Sequence, residues 1–148
     1  RDCAIGRKLH YVKLHGSFNW HSSVGDRVMV IGAQKDKLIE GEELLRYYSF
    51  LFARVLKETT ILCVIGYSFR DHHINKALAK AIDDHRLALC VISPLSASQF
   101  RQSLKNCAGG HANALLRGLV AYFPWSVEQL LLKEQHPARS ELYRVLTS

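Results

Sequence analysis

Three short segments, apolar from end to end, constrain this chain most: residues 60–65 (Thr-Ile-Leu-Cys-Val-Ile), 87–92 and 118–123 (Gly-Leu-Val-Ala-Tyr-Phe). A strand with one wet face alternates apolar and polar residues, so an unbroken β-branched run belongs to a strand buried on both faces, as in a parallel sheet. Gly66, Ser93-Pro94 and Pro124 stop the three runs. Helical stripes lie between and around them. Leu44, Leu45, Tyr48, Leu51, Phe52, Val55 and Leu56 recur at three- and four-residue spacing and predict an amphipathic helix over 42–57, and Ile74, Ala77, Leu78, Ala81 and Ile82 predict another. Residues 96–104 fit a further helix, and 106–113, with Gly109-Gly110, read as a loop. Ser126 three residues before Gln129 has capping-box spacing and opens a helix, with a last short one over 139–146 after Pro137. Strands alternating with helices in this way make an α/β fold with a mostly parallel sheet and flanking helices.

The 148 residues, 48% of them hydrophobic, suffice for one core and are read as a single domain over 1–148, with 125–148 as a helical tail. Because the chain opens Arg1-Asp2-Cys3, it is expected to be a portion of a longer protein. Without a long apolar stretch or a signal-peptide pattern, a soluble, cytoplasmic protein that does not touch membranes is expected. Cys3, Cys63, Cys90 and Cys107 form no C-x-x-C pair, and two of them sit inside the buried runs. Neither a metal site nor a disulfide framework follows, and the thiols read as small hydrophobes. The formal charge of +7 suits an anionic partner, but it is scattered and not interleaved with aromatics. Direct nucleic-acid binding is therefore not expected, although a scaffold associated with nucleic acid would share the charge. Trp20 and Trp125 read as core or interface anchors.

Two segments carry chemistry. In Cys63-Val-Ile-Gly-Tyr-Ser-Phe-Arg-Asp-His-His-Ile-Asn75 a buried strand meets a glycine turn and then a helix start. Ligands of open α/β sheets bind beyond the carboxyl ends of the strands, where free N–H groups and the helix dipole favour phosphate. Gly66 would let the main chain approach a ligand, Ser68 offers a hydroxyl, and Asp71 either caps the helix or accepts from a ribose hydroxyl. His72 and His73 either meet phosphate or belong to a capped surface turn. Residues 9–14 alternate and run as a strand into His15-Gly16-Ser17, within Lys13-Leu-His-Gly-Ser-Phe-Asn-Trp20, while 19–40 read as a polar excursion with a short strand over 28–31. An imidazole, with an ordinary pKa of about 6.5, serves as acid or base near neutrality, but one at a strand end is equally a structural hydrogen-bonding group.

Taken as a pair, K-L-H-G-S-x-N-W and V-I-G-Y-S-F-x-D-x-x-I-N resemble the sirtuin-like domains of bacterial anti-phage defence proteins and related NAD hydrolases, over roughly residues 9–94. Sirtuins share the His-Gly-Ser segment and an I-G-T-S turn that contacts NAD, here Ile65-Gly66-Tyr67-Ser68. They also insert a four-cysteine zinc module, whereas no cysteine lies between residues 4 and 62, so the likeness is to the zinc-free branch and away from lysine deacylation.

The resemblance implies a Rossmann-like domain, of which this chain is the C-terminal portion, and NAD as substrate or ligand. It implies His15 as the catalytic group and Gly16, Ser17, Gly66, Tyr67, Ser68, Asp71 and Ser93 as NAD-contacting residues, Ser93 on the adenosine side. The family's glycine-rich first turn and T-N-x-D segment do not occur in the sequence, so this chain alone is expected to be inactive. NAD+ hydrolysis by the intact protein is the activity implied. The alternative is a sensor of NAD or an ADP-ribose-like nucleotide that acts through a partner protein or through self-association, for which the apolar face of 44–56 is available.

Overall fold

The computed structural model describes residues 13–22, 27–30, 35–131, 140, 144 and 145. Its contacts group into two compact units divided between Val55 and Leu56.

In the first unit, β1 (Gly16–His21) pairs antiparallel with β2 (Arg27–Met29), Gly16 opposite Met29 and His21 opposite Arg27, with a register irregularity between. Short helix α1 (Lys35–Gly41) follows, then α2 (Glu43–Glu58), whose body belongs to this unit. Val28, Val30, Ile39 and Leu45 form a buried cluster with Trp20 packed against it, and Trp20 stacks on Tyr48 at 5.3 Å between ring centroids. Trp20 is thus a core anchor, as its sequence context predicts. The α2 stripe holds in part: Leu45 and Leu56 are buried and Leu44, Tyr48, Leu51 and Phe52 half-buried, but Val55, one of its members, is exposed, as are Tyr47 and Phe50. Three local readings change. The strand expected over 9–14 lies mostly outside the described residues, and Leu14 itself is in a turn; residues 16–21, read as a turn and the start of a loop, form a strand; and α1 replaces part of the expected excursion.

The second unit is a parallel sheet in the order β3 (Ile61–Ile65), β4 (Ala88–Ile92), β5 (Leu119–Phe123). Between β3 and β4 runs α3 (His72–His85); between β4 and β5 run α4 (Ala97–Cys107), a 3-10 turn (Gly109–His111) and α5 (Ala112–Gly118); α6 (Val127–Leu131) follows β5. The three strands are the three apolar runs, and β4 between its neighbours is buried almost throughout. One sheet face carries Cys90, Ile92 and Phe123, packed with Ile61, Cys63, Ala121 and Trp125. Trp125 stacks on Phe123 at 4.5 Å and so also serves the core.

Local chemistry fixes the helix ends. Asp71 takes the extended N-cap conformation before α3, and Arg86, at φ +59°, closes it as its N–H donates to the Ile82 carbonyl (3.1 Å) and that of Leu87 to Ala81 (3.2 Å). A capping box opens α4, with Ser96 and Gln99 bonding each other's main chain at 3.0 and 3.3 Å, and Ser126 with Gln129 opens α6 as the spacing predicts. The segment read as a loop over 106–113 instead enters α5, which packs on α3; a Cβ at Gly118 would lie 2.6 Å from Ile82 Cδ1, so that glycine sets how closely the helices meet. The helix expected over 139–146 falls largely outside the described residues. Among the described residues no helix is long and apolar enough to cross a membrane.

Leu89, the second residue of β4, is fully buried. Leu89→Ala removes buried methyl groups and leaves a cavity, and is expected to lower unfolding free energy by about 2–5 kcal/mol, read from the urea midpoint at unchanged m.

Candidate functional site

The parallel register aligns the strand ends: Ile65 lies opposite Ile92, and Ile92 opposite Phe123. The turns that follow, at Gly66, Ser93 and Pro124, therefore emerge side by side at the carboxyl edge of the sheet, where the fold's ligands are held.

Gly66 has φ +68°, a left-handed conformation that costs an L side chain about 1–2 kcal/mol, and a Cβ built there meets nothing within 4 Å. Gly66, Ser68 and Arg70 are exposed. Open space at Gly66 beside the exposed Ser68 fits a phosphate or a ribose hydroxyl. Phe69 also lies at positive φ, +57°, which no glycine relieves. Its ring is 2% exposed, 4.7 Å from Tyr67 and edge-on to Phe100 at 5.8 Å. Burying a phenylalanine contributes about 1.5–3 kcal/mol, so packing outweighs the backbone strain of about 1–2 kcal/mol. Phe100 in turn stacks on Tyr122 at 4.7 Å, and the Tyr122 hydroxyl donates to the Leu95 carbonyl at 2.6 Å. A line of aromatic rings thus connects the turn after β3 with the turn after β4.

Tyr67 turns its hydroxyl inward, donating to Asn75 Oδ1 at 2.9 Å and lying 3.1 Å from the Asp71 carbonyl oxygen. Burial pushes its phenol well above the ordinary range, and the Asp71 carboxylate adds to the shift. Asp71 makes no side-chain cap bond to α3; its carbonyl accepts from the Asn75 N–H at 3.0 Å. Ser93 is half-buried: its hydroxyl accepts from the Leu95 N–H at 3.4 Å and its N–H donates to Phe123 at 3.1 Å, which fixes the turn after β4. The His72 ring lies 4.9 Å from that of His111 at the start of α3.

His15, Gly16 and Ser17 belong to the first unit. His15 is half-buried in the turn entering β1, its carbonyl accepting from the Val30 N–H at 2.9 Å. Gly16 has φ +76°, and a Cβ there would run into the Val28 carbonyl oxygen. Lys13 Nζ donates to Ser17 Oγ at 2.8 Å, Ser17 donates to Asn19 Oδ1 at 2.7 Å, and the Lys13 ammonium stands 5.7 Å from the Trp20 ring centroid. The segment Lys13–Trp20 is therefore held together by its own side chains.

The sequence reading missed Asn75, 1% exposed and the one buried polar residue among those described. Its signal was present, for it shares the apolar stripe of α3 at i, i+3, i+7 with Leu78 and Ile82. Cys63 and Cys90 are cross-strand neighbours; burial pushes both thiols upward, Cys90 to about 11, so they remain protonated packing groups. Among the described residues no group of three or more His, Cys, Asp or Glu is placed to hold a metal.

A family model described as a SIR2-like domain matches residues 2–108. The chain belongs to the SIR2-like domain family. No curated protein and no solved structure matches it. This family is NAD-related, and the parallel sheet with its flanking helices is consistent with its Rossmann-like fold.

Gly66→Ala is expected to cost only the left-handed strain, about 1–2 kcal/mol, whereas Gly16→Ala adds a main-chain clash and is expected to cost roughly 2–5 kcal/mol; urea midpoints of the two variants give the comparison. Because the folded-state pKa of Tyr67 is raised, the stability it contributes is intact below the ordinary tyrosine value of about 10 and declines as pH rises above it. Tyr67→Phe is expected to flatten that alkaline decline in a pH series of thermal melts.

Proposed function

We propose that the intact protein binds NAD+ at the carboxyl edge of the parallel sheet and hydrolyses its nicotinamide–ribose bond, with His15 as general base. The observation that carries the reading is the Gly66 turn of a SIR2-like chain: left-handed, exposed, and open where a Cβ would stand. Such a turn admits a phosphate or ribose against the main chain. In the proposed complex the Gly66, Tyr67 and Ser68 main chain and the Ser68 hydroxyl hold the phosphates and proximal ribose, Asp71 braces the turn, and Ser93 borders the adenosine. Gly16 makes the close turn against Val28 that follows His15, and Ser17 supports that segment.

Glycosidic cleavage of this kind is dissociative: the carbon–nitrogen bond breaks, nicotinamide leaves with the electron pair, and positive charge grows on the ribose carbon. Water then forms the new carbon–oxygen bond and its proton passes to the base. A neutral imidazole can accept that proton, which is the part proposed for His15. By the same resemblance the reading extends to anti-phage defence, in which NAD+ would be consumed on infection.

The test is release of nicotinamide from NAD+ by the full-length protein, followed chromatographically. Wild type is expected to turn over, and His15→Ala to lose about 10²–10⁴-fold in rate. Undiminished turnover in that variant removes the base role. Binding of NAD+ without release of nicotinamide supports the sensor reading, and no binding by calorimetry ends both.

A further inference from the structure

We infer that Asn75 is a positioning residue: its buried side chain clamps Tyr67 and Phe69 and thereby holds Ser68 between them in the shape that receives the nucleotide. The ligand half of this inference rests on the reading of the Gly66 turn above; the conformational half does not. Position 75 faces the core in the first turn of α3, where an aliphatic residue would serve packing alone. A buried amide is tolerated only when its polar ends are bonded, and here both are. Nδ2 donates to the Phe69 carbonyl at 2.8 Å and Oδ1 accepts from the Tyr67 hydroxyl at 2.9 Å. The clamped residues flank Ser68, which stays exposed.

The bond to Phe69 matters most because that residue holds φ +57° without a glycine's freedom. Fixing its carbonyl against Asn75 selects this conformation over the right-handed one, which would redirect the preceding peptide and with it Ser68. Asn75 touches no ligand in this account; it sets the geometry of residues that do, and the ligand class is a dinucleotide or ADP-ribose presenting phosphate and ribose hydroxyls.

The experiment uses the full-length protein with wild type, Asn75→Ala, Asn75→Asp and Tyr67→Phe. Arg70 is exposed within the turn, so trypsin cleavage after it reports local opening, and cleavage after Arg101 in α4 reports general unfolding. At about pH 8 the Ala and Asp variants are expected to be cut after Arg70 roughly tenfold faster relative to Arg101, and Tyr67→Phe, which keeps the Phe69 bond, by less. ADP-ribose affinity by calorimetry is expected to fall about 10–100-fold in Asn75→Ala.

The Asp variant separates positioning from bulk. Its buried carboxyl titrates upward of the ordinary range, and once protonated it donates to the Phe69 carbonyl again. Affinity of Asn75→Asp is therefore expected to recover between about pH 8 and pH 5, while Asn75→Ala and wild type, measured in parallel, account for Asp71, His72, His73 and Tyr67. Unchanged relative cleavage after Arg70, or an Asp variant that follows the Ala variant at every pH, overturns the inference. If wild type binds no ADP-ribose, the functional reading falls and the cleavage ratios still decide the clamp. If Asn75→Ala does not fold, the Asp variant decides it alone.

Discussion

In-register parallel pairing of β3 with β4 is the constraint on which the rest depends. Because Ile61 through Ile65 meet Ala88 through Ile92 without a slip, the two strands end level, and the turns beginning at Gly66 and Ser93 start beside each other. A parallel pair needs a crossover helix, and α3 supplies it while also beginning where the first turn ends. Sheet register, turn placement and helix start are thus one geometric fact. Slipping β3 by a single residue against β4 would turn Val64 to the face opposite Val91 and offset the turns.

Within that frame, opposed effects of similar size shape the turn. Left-handed backbone at Phe69 is unfavourable, and burial of its ring between Tyr67 and Phe100 is more favourable. Asn75 adds direction, since apolar packing alone does not specify where a carbonyl points, whereas a 2.8 Å bond from an amide does. The Lys13–Trp20 segment uses the same means with different chemistry: an ammonium bonded to a serine and set over an indole, a serine bonded to an asparagine, and a main chain pinned by Val30. Both segments read as motifs because their residues depend on one another locally.

Legibility in the sequence followed from how local each cause was. The strands β3, β4 and β5 were readable because burial on both faces leaves unbroken apolar runs, and α2 and α3 because one buried stripe imposes helical spacing. Helix α5 was not readable: Gly109-Gly110 precedes it, it is only seven residues long, and it owes its place to burial of Ala112, Ala114 and Leu115. Strand β1 begins at a positive-φ glycine and looks like a turn until β2 pairs with it, a contact made across intervening chain. At the site, exposed Gly66 and Ser68 were legible from the turn chemistry. The inward aim of the Tyr67 hydroxyl and its partner Asn75 depends on two segments folding against each other, so only the polar interruption of the α3 stripe pointed to it.

Gly16 and Gly66 show how one residue type serves two ends. Both sit at φ near +70°, so propensity alone does not distinguish them. At Gly16 the space for a Cβ is filled by the main chain of Val28, and the glycine is required by the hairpin itself. At Gly66 that space is empty and faces solvent, so the fold asks only for the backbone angle, and a side chain there would interfere chiefly with whatever approaches from outside. That open space is the feature the proposed nucleotide complex uses, in a chain whose family is NAD-related.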